Sequence, residues 1–130
     1  METVVRSHEG QPIEMINMEL ILPWYNPKLN PNKRTHWAPK AKLKKKQKSD
    51  AYYIAKASGK PTVRDTYNLK IIYHPPGNYG YDIDNCQASI KSALDGIADA
   101  WEVNDKQFRF NGSDFGDVVK HGKIVISLPD

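Results

Sequence analysis

Asp82, Asp84 and Asp105, with Lys91 and Asp95 between them, gather in one short stretch of a chain that is otherwise basic. Asp82 and Asp84 are two residues apart, so in extended backbone both side chains point to the same side, and Asp84 stands where a helix would begin. Counted along a helix, Asp84, Lys91 and Asp95 share one face, and Lys91 stands roughly 10 Å up the axis from Asp84, a gap its long side chain can largely cover. Asp105 follows in a turn that can fold back. Carboxylates this close repel one another unless a cation lies between them. All-oxygen ligands select hard ions, which makes Mg²⁺ the expected occupant, with Mn²⁺ as a substitute. Such an ion lowers the pKa of a water that attacks phosphorus, and a lysine beside it can stabilise the charge that develops on the phosphoryl or leaving oxygen.

Each residue also has a plainer reading. Asp84 can be only a helix cap, Lys91 and Asp95 only an i,i+4 surface pair, and Asp105 only a turn residue. It is their concentration, beside a basic segment in one small domain, that favours a site. A calcium loop fits less well, because Asp82-Ile83-Asp84 continues to Cys86 and Gln87 where that loop needs a further oxygen ligand and a glycine. His36, His74 and His121 have no ligand spacing. Cys86 reads as a small buried side chain.

The elements that must position these residues follow from periodicity. Ile16, Met18, Leu20 and Leu22 alternate as a first strand that Pro23 stops. Pro23, Pro27, Pro31 and Pro39, with Asn26, Asn30 and Asn32, predict an irregular exposed loop. Trp24, Tyr25, His36 and Trp37 in that loop can stack on bases, or the tryptophans can simply pin the loop to the core. From Lys40 to about Ser58 a helix is expected, with Leu43, Gln47, Ala51 and Ile54 on its apolar stripe and Gly59 and Pro61 beyond its end. Tyr67 to His74 reads as a strand. A second long helix starts at Asp82 or Asp84, with Ile90, Leu94, Ile97 and Trp101 as its core stripe. Phe108 to Phe110 and Val118 to Lys120 are candidate short strands, and Ile124, Ile126 and Leu128 form a last one. The fold class is therefore α/β (α+β): one domain, 13–130, with a mixed sheet and two principal helices, preceded by a flexible arm, 1–12.

Composition bounds the rest. The 130 residues, 39% hydrophobic and 26% charged, suit a single core, and no apolar run approaches the roughly 20 residues that span a bilayer. The polar first ten residues lack the apolar centre of a signal peptide, and a lone cysteine fits a reducing compartment, so the cytoplasm is the expected location. The net charge of +4 is unevenly spread. Between Lys28 and Lys60 the lysines and Arg34 face the single acid Asp50, whereas most of the carboxylates collect after Asp82. Lys33, Arg34, Lys40, Lys42, Lys44, Lys45, Lys46 and Lys48 can hold a polyanion that the acidic half then acts on. A solvated helix face is the alternative.

Asp82-Ile83-Asp84-Asn85, Lys91, Asp95-Gly96-Ile97 and Asp105, after a strand ending Leu22-Pro23, an Asn/Pro loop and a basic helix, resemble the RusA family of Holliday junction resolvases. The resemblance covers most of the chain. It implies a homodimeric α/β crossover junction endodeoxyribonuclease, found in bacteria and their phages, that acts in DNA recombination and repair. With Mg²⁺ it would nick two opposed strands of a DNA four-way junction, leaving 5′-phosphate and 3′-hydroxyl ends. It assigns Asp82, Asp84 and Asp105 to the metal and Lys91 to catalysis, with Asn85 and Asp95 in support. Two positions depart from the family pattern: Ala88 occupies the nearer lysine position, and Asn104 stands where many relatives carry a second acid. Those departures keep two alternatives open, a non-catalytic DNA-binding protein of the same fold and a metal-dependent nuclease for other branched or single-stranded DNA.

Overall fold

The computed structural model describes residues 5–6, 12–13, 18–32 and 37–129, with side chains from 18–32 and 39–129. The elements run β1 (Val5–Arg6), β2 (Pro12–Ile13), β3 (Met18–Pro23), α1 (Trp37–Ser58), β4 (Tyr67–His74), α2 (Ile83–Ser89), α3 (Lys91–Trp101), β5 (Phe108–Phe115) and β6 (Lys123–Leu128). β1 and β2 pair as a small antiparallel ladder. The other four strands form one mixed sheet in the order β3-β6-β4-β5, in which β4 and β5 are parallel and the remaining neighbours antiparallel. The chain is thus a single-domain α+β fold, as expected. No helix among the described residues is long and apolar enough to cross a membrane.

Alternation sets which face of the sheet is covered. Met18, Leu20 and Leu22 of β3, Leu69, Ile71 and Tyr73 of β4 and Ile124, Ile126 and Leu128 of β6 are all buried, while their neighbours in sequence are exposed or half-buried. The buried face carries α1 and α3. Ile90, Leu94, Ile97 and Trp101 are buried against it, as their helical spacing requires, with Ala51 and Ala55 of α1 behind them. The parallel pair β4 and β5 needs a crossover, and α2 with α3 supplies it. That crossover carries the acidic residues.

Four expectations are corrected. The helix from Asp82 to Trp101 is not continuous: Ile90 leaves helical geometry (φ −109°, ψ 12°), which separates α2 from α3. Gly96 sits where a Cβ would run into the Lys48 carbonyl oxygen and meet the Tyr52 nitrogen at 3.1 Å, so α3 lies close against the backbone of α1. Val118 to Lys120 form no strand. Val119 N–H instead donates to the Pro75 carbonyl, closing a loop. β5 extends to Phe115, beyond the expected Phe110, through a bulge at Asn111 and Gly112, the latter at φ +119°. The Pro/Asn segment is more regular than its composition suggests, with a 3-10 turn at Pro27–Leu29 capped by Asn26, and α1 begins at Trp37, three residues before Lys40. Pro39 is accommodated in the first turn of α1, where no helical partner for its nitrogen is needed. Ile16, Lys33, Arg34 and His36 lie outside the described residues.

Candidate active site

The break at Ile90 leaves polar backbone groups at the end of α2 and the start of α3, and a side chain from α1 satisfies them. Gln47 Nε2 donates to the Ser89 carbonyl at 2.9 Å, and Gln47 Oε1 accepts from Ala93 N–H at 3.2 Å. Ser89 Oγ donates back to the Asn85 carbonyl at 2.6 Å. One glutamine in a run of lysines therefore fixes the relative orientation of the two helices that carry Asp84 and Lys91.

Asp82 begins this unit. Its Oδ1 accepts from Asp84 N–H at 2.8 Å and from Asn85 N–H at 3.4 Å, which makes it the N-cap of α2. At the far end Glu102, in left-handed backbone (φ 57°), stops α3, and Val103 N–H donates to the Ala98 carbonyl. The chain reverses there and returns Asp105 to the helix. Asn104 caps the next turn: its Oδ1 accepts from Lys106 N–H at 2.9 Å, and its own N–H donates to Gln107 Oε1 at 3.0 Å. At the position where the RusA-type pattern carries a second acid, this chain has a turn cap.

Asp84, Lys91, Asp95 and Asp105 line one open cavity of about 380 Å³ between the helices and β5. Asp82 does not line it. Ala88 does, so both candidate lysine positions face the same space in spite of the helix break. Asp95 and Asp105 also line an adjoining hollow with Lys48, Asp99 and Asn104. Burial raises the Asp95 carboxyl above the usual carboxylate range; Lys91 and Lys48 oppose that, while Asp105, close enough to share a hydrogen bond, adds to it. Asp95 is thus coupled by charge to Lys91, its expected partner, and to Asp105 as well. Asn85 is half-buried, and its carbonyl is engaged by Ser89.

Two lining residues are absent from the sequence reading. Gln87 Oε1 accepts from Tyr73 Oη at 3.0 Å and from Ser113 Oγ at 3.2 Å, which ties the cavity wall to β4 and β5. Phe110 of β5, 46% exposed, also lines the cavity. Gln87 lies on the helical face of Asp84 and Ala88, a spacing visible in the sequence, whereas Phe110 reaches the cavity through the pairing of β4 with β5, which local spacing does not show.

The basic helix divides. Lys46 pairs with Asp50 at 2.7 Å and Lys48 with Asp99 at 3.3 Å, whereas Lys40, Lys42, Lys44 and Lys45 have no acidic partner among the described residues. Trp24 stacks on Tyr25 with ring centroids 4.8 Å apart and meets Tyr73 and Tyr81 edge-on, which is the pinning role. Tyr25 Oη reaches Cys86 Sγ at 3.5 Å, and Cys86 is wholly buried, its thiol pushed up by that burial.

Among the described residues no group of three or more His, Cys, Asp or Glu side chains stands ready to hold a metal ion. Mg²⁺ does not require such a cage, since it keeps several waters and commonly takes one or two carboxylates together with substrate phosphate. Asp84 and the Asp95/Asp105 pair around an open cavity fit that mode.

No protein-family model matches the chain. A protein of Xylella fastidiosa (strain Temecula1 / ATCC 700964), known as "Uncharacterized protein", is 34% identical over 114 residues, which cover 84% of this chain and 74% of that one.

Proposed function

The chain belongs to one family with the Xylella fastidiosa protein, and from its site we propose a RusA-like, Mg²⁺-dependent endonuclease that resolves DNA four-way junctions as a homodimer. The observation that carries this reading is the cavity itself: Asp84, Lys91, Asp95 and Asp105, drawn from two helices and a returning turn, face one open space beside a lysine-bearing helix. An open cavity admits a backbone phosphate, and its mixed charge suits phosphodiester hydrolysis.

Mg²⁺, when bound, would supply positive charge beside the phosphoryl oxygens and would lower the pKa of the attacking water. Asp84 and Asp105 would hold it, with the unbonded Oδ2 of Asp82 within the same short segment. Water oxygen bonds to phosphorus as the bond from phosphorus to the 3′ oxygen breaks, which gives a 5′-phosphate and a 3′-hydroxyl. Lys91 places an ammonium where charge develops on the phosphoryl or leaving oxygen. Asp95 restrains that ammonium by charge and keeps it in the cavity. Lys40, Lys42, Lys44 and Lys45 supply sequence-independent attraction for the junction arms.

The absence of a ready three-carboxylate group among the described residues favours one second reading, a DNA-binding protein of the same fold without catalysis. A single panel separates these readings: synthetic four-way, Y-shaped and linear duplex DNA, each incubated with the protein in Mg²⁺ and in EDTA. Paired nicks confined to the four-way substrate in Mg²⁺ support the resolvase. Cutting of the other substrates would point to a broader branched-DNA nuclease, and a shifted band without products to the binding protein.

A further inference from the structure

We propose that the outer edge of β5 is a self-pairing surface for a second copy of this chain, with Arg109 of each copy opposite Asp114 of the other. The interface deepens the homodimer of the proposed function, but its formation does not depend on catalysis. β5 is the last strand of the sheet, and its outer edge has no partner among the described residues. It is also the most exposed strand: after Phe108 every residue is exposed or half-buried, including Phe110 and Phe115. An eight-residue edge strand is a template for another strand.

The sequence of this edge is complementary to itself. If two copies of β5 pair antiparallel about their midpoint, Phe108 faces Phe115, Arg109 faces Asp114, Phe110 faces Ser113 and Asn111 faces Gly112, and every pair occurs twice. Two aromatic pairs and two opposite-charge pairs result. In a regular strand this register would be forbidden. Arg109 and Asp114 are separated by an odd number of residues and would point to opposite faces. The bulge at Asn111 and Gly112 removes the conflict. Opposite β4, Phe108, Phe110, Ser113 and Phe115 align with the buried Tyr67, Leu69, Ile71 and Tyr73, whereas Arg109 and Asp114 align with Asn68 and Ile72 on the open face. Edge bulges commonly obstruct pairing, yet this one brings both sets of side chains into phase for it. Arg109 now donates to the Lys106 and Phe108 carbonyls and Asp114 accepts from Phe115 N–H, so pairing exchanges these contacts for strand-to-strand hydrogen bonds and the Arg109–Asp114 pairs.

A two-fold axis through an antiparallel strand pair stands perpendicular to the sheet, so both copies present their helices on the same side. Phe110 lines the candidate active site, and the two cavities would therefore flank the axis on one face.

Sedimentation of the full chain without DNA or Mg²⁺ tests the surface. The wild type is expected to dimerise, Arg109→Asp and Asp114→Arg each to weaken association roughly tenfold or more, and the double reversal to recover it. Arg109→Cys with Asp114→Cys should yield a disulfide-linked dimer on oxidation that neither single cysteine variant forms. A wild-type monomer, single reversals that leave the dimer unchanged, or a double reversal that fails to recover it would overturn the proposal. A dimer that forms by this edge in a protein that cuts no DNA would refute the nuclease reading and leave the interface standing.

Discussion

At the scale of single residues, Asp82 and Lys91 carry the sharpest tests. Asp82 is the N-cap of α2, and asparagine caps a helix about as well as aspartate, so substitution separates its structural use from its charge. Asp82→Ala should cost about 0.5–2 kcal/mol in chemical denaturation. Asp82→Asn should keep that stability while losing junction cleavage; an Asn variant that cuts normally would confine Asp82 to capping. Lys91→Ala should slow nicking by roughly 10²–10³-fold with little change in gel-shift affinity. Because Ala88 faces the same cavity, Ala88→Lys placed in the Lys91→Ala background should return part of the rate. Cys86 is 0% exposed and its thiol is pushed up by burial, with the Tyr25 hydroxyl opposing and Asp82 adding. Alkylating reagents at neutral pH should therefore leave the folded protein unmodified and label it only in denaturant. Rapid labelling of the native chain would contradict the buried position that anchors α2.

At the scale of elements, the site depends on how α2, α3 and α1 meet. Gln47→Ala would strand the Ser89 carbonyl and the Ala93 N–H, a loss of about 1–3 kcal/mol, and should reduce cleavage further than Gln47→Glu, which keeps one acceptor. Gly96→Ala would force a methyl group into the Lys48 carbonyl and should destabilise by about 1–3 kcal/mol, read as a lower urea midpoint. Much of this architecture was legible in sequence: the alternation of Leu20, Leu22, Ile124 and Ile126 and the stripe of Ile90, Leu94, Ile97 and Trp101 specify faces, and those faces are the buried ones. The break at Ile90 was not legible. Gln47 bonds the backbone on both sides of it, a contact between residues far apart in the chain, whereas periodicity reports only neighbours within a turn or two. Asp84, Lys91 and Asp95 still meet, because Lys91 falls on the cavity side of the break. Gln87 shares the helical spacing of Asp84 and Lys91, but its bonds to Tyr73 and Ser113, like the place of Phe110, depend on strand pairing that local spacing does not show.

At the scale of the whole molecule, charge is segregated between α1 and the acidic crossover. Lys40, Lys42, Lys44 and Lys45 lack acidic partners among the described residues, whereas Lys46 and Lys48 are paired. Lys44→Ala and Lys45→Ala should each lower the slope of log affinity against log salt by about 1 on duplex DNA, and Lys46→Ala by less. Equal effects would place the DNA elsewhere. The cavity of Asp84, Lys91, Asp95 and Asp105 is proposed to hydrolyse DNA at a junction. The most direct measurement is strand-resolved cleavage of a radiolabelled four-way junction in Mg²⁺ by the wild type and by Asp84→Asn, with junction binding followed in the same samples. Paired nicks in opposed strands are expected from the wild type, and binding without nicks from Asp84→Asn. Undiminished nicking by Asp84→Asn, or a wild type that binds the junction and never cuts it, would contradict that role for the cavity.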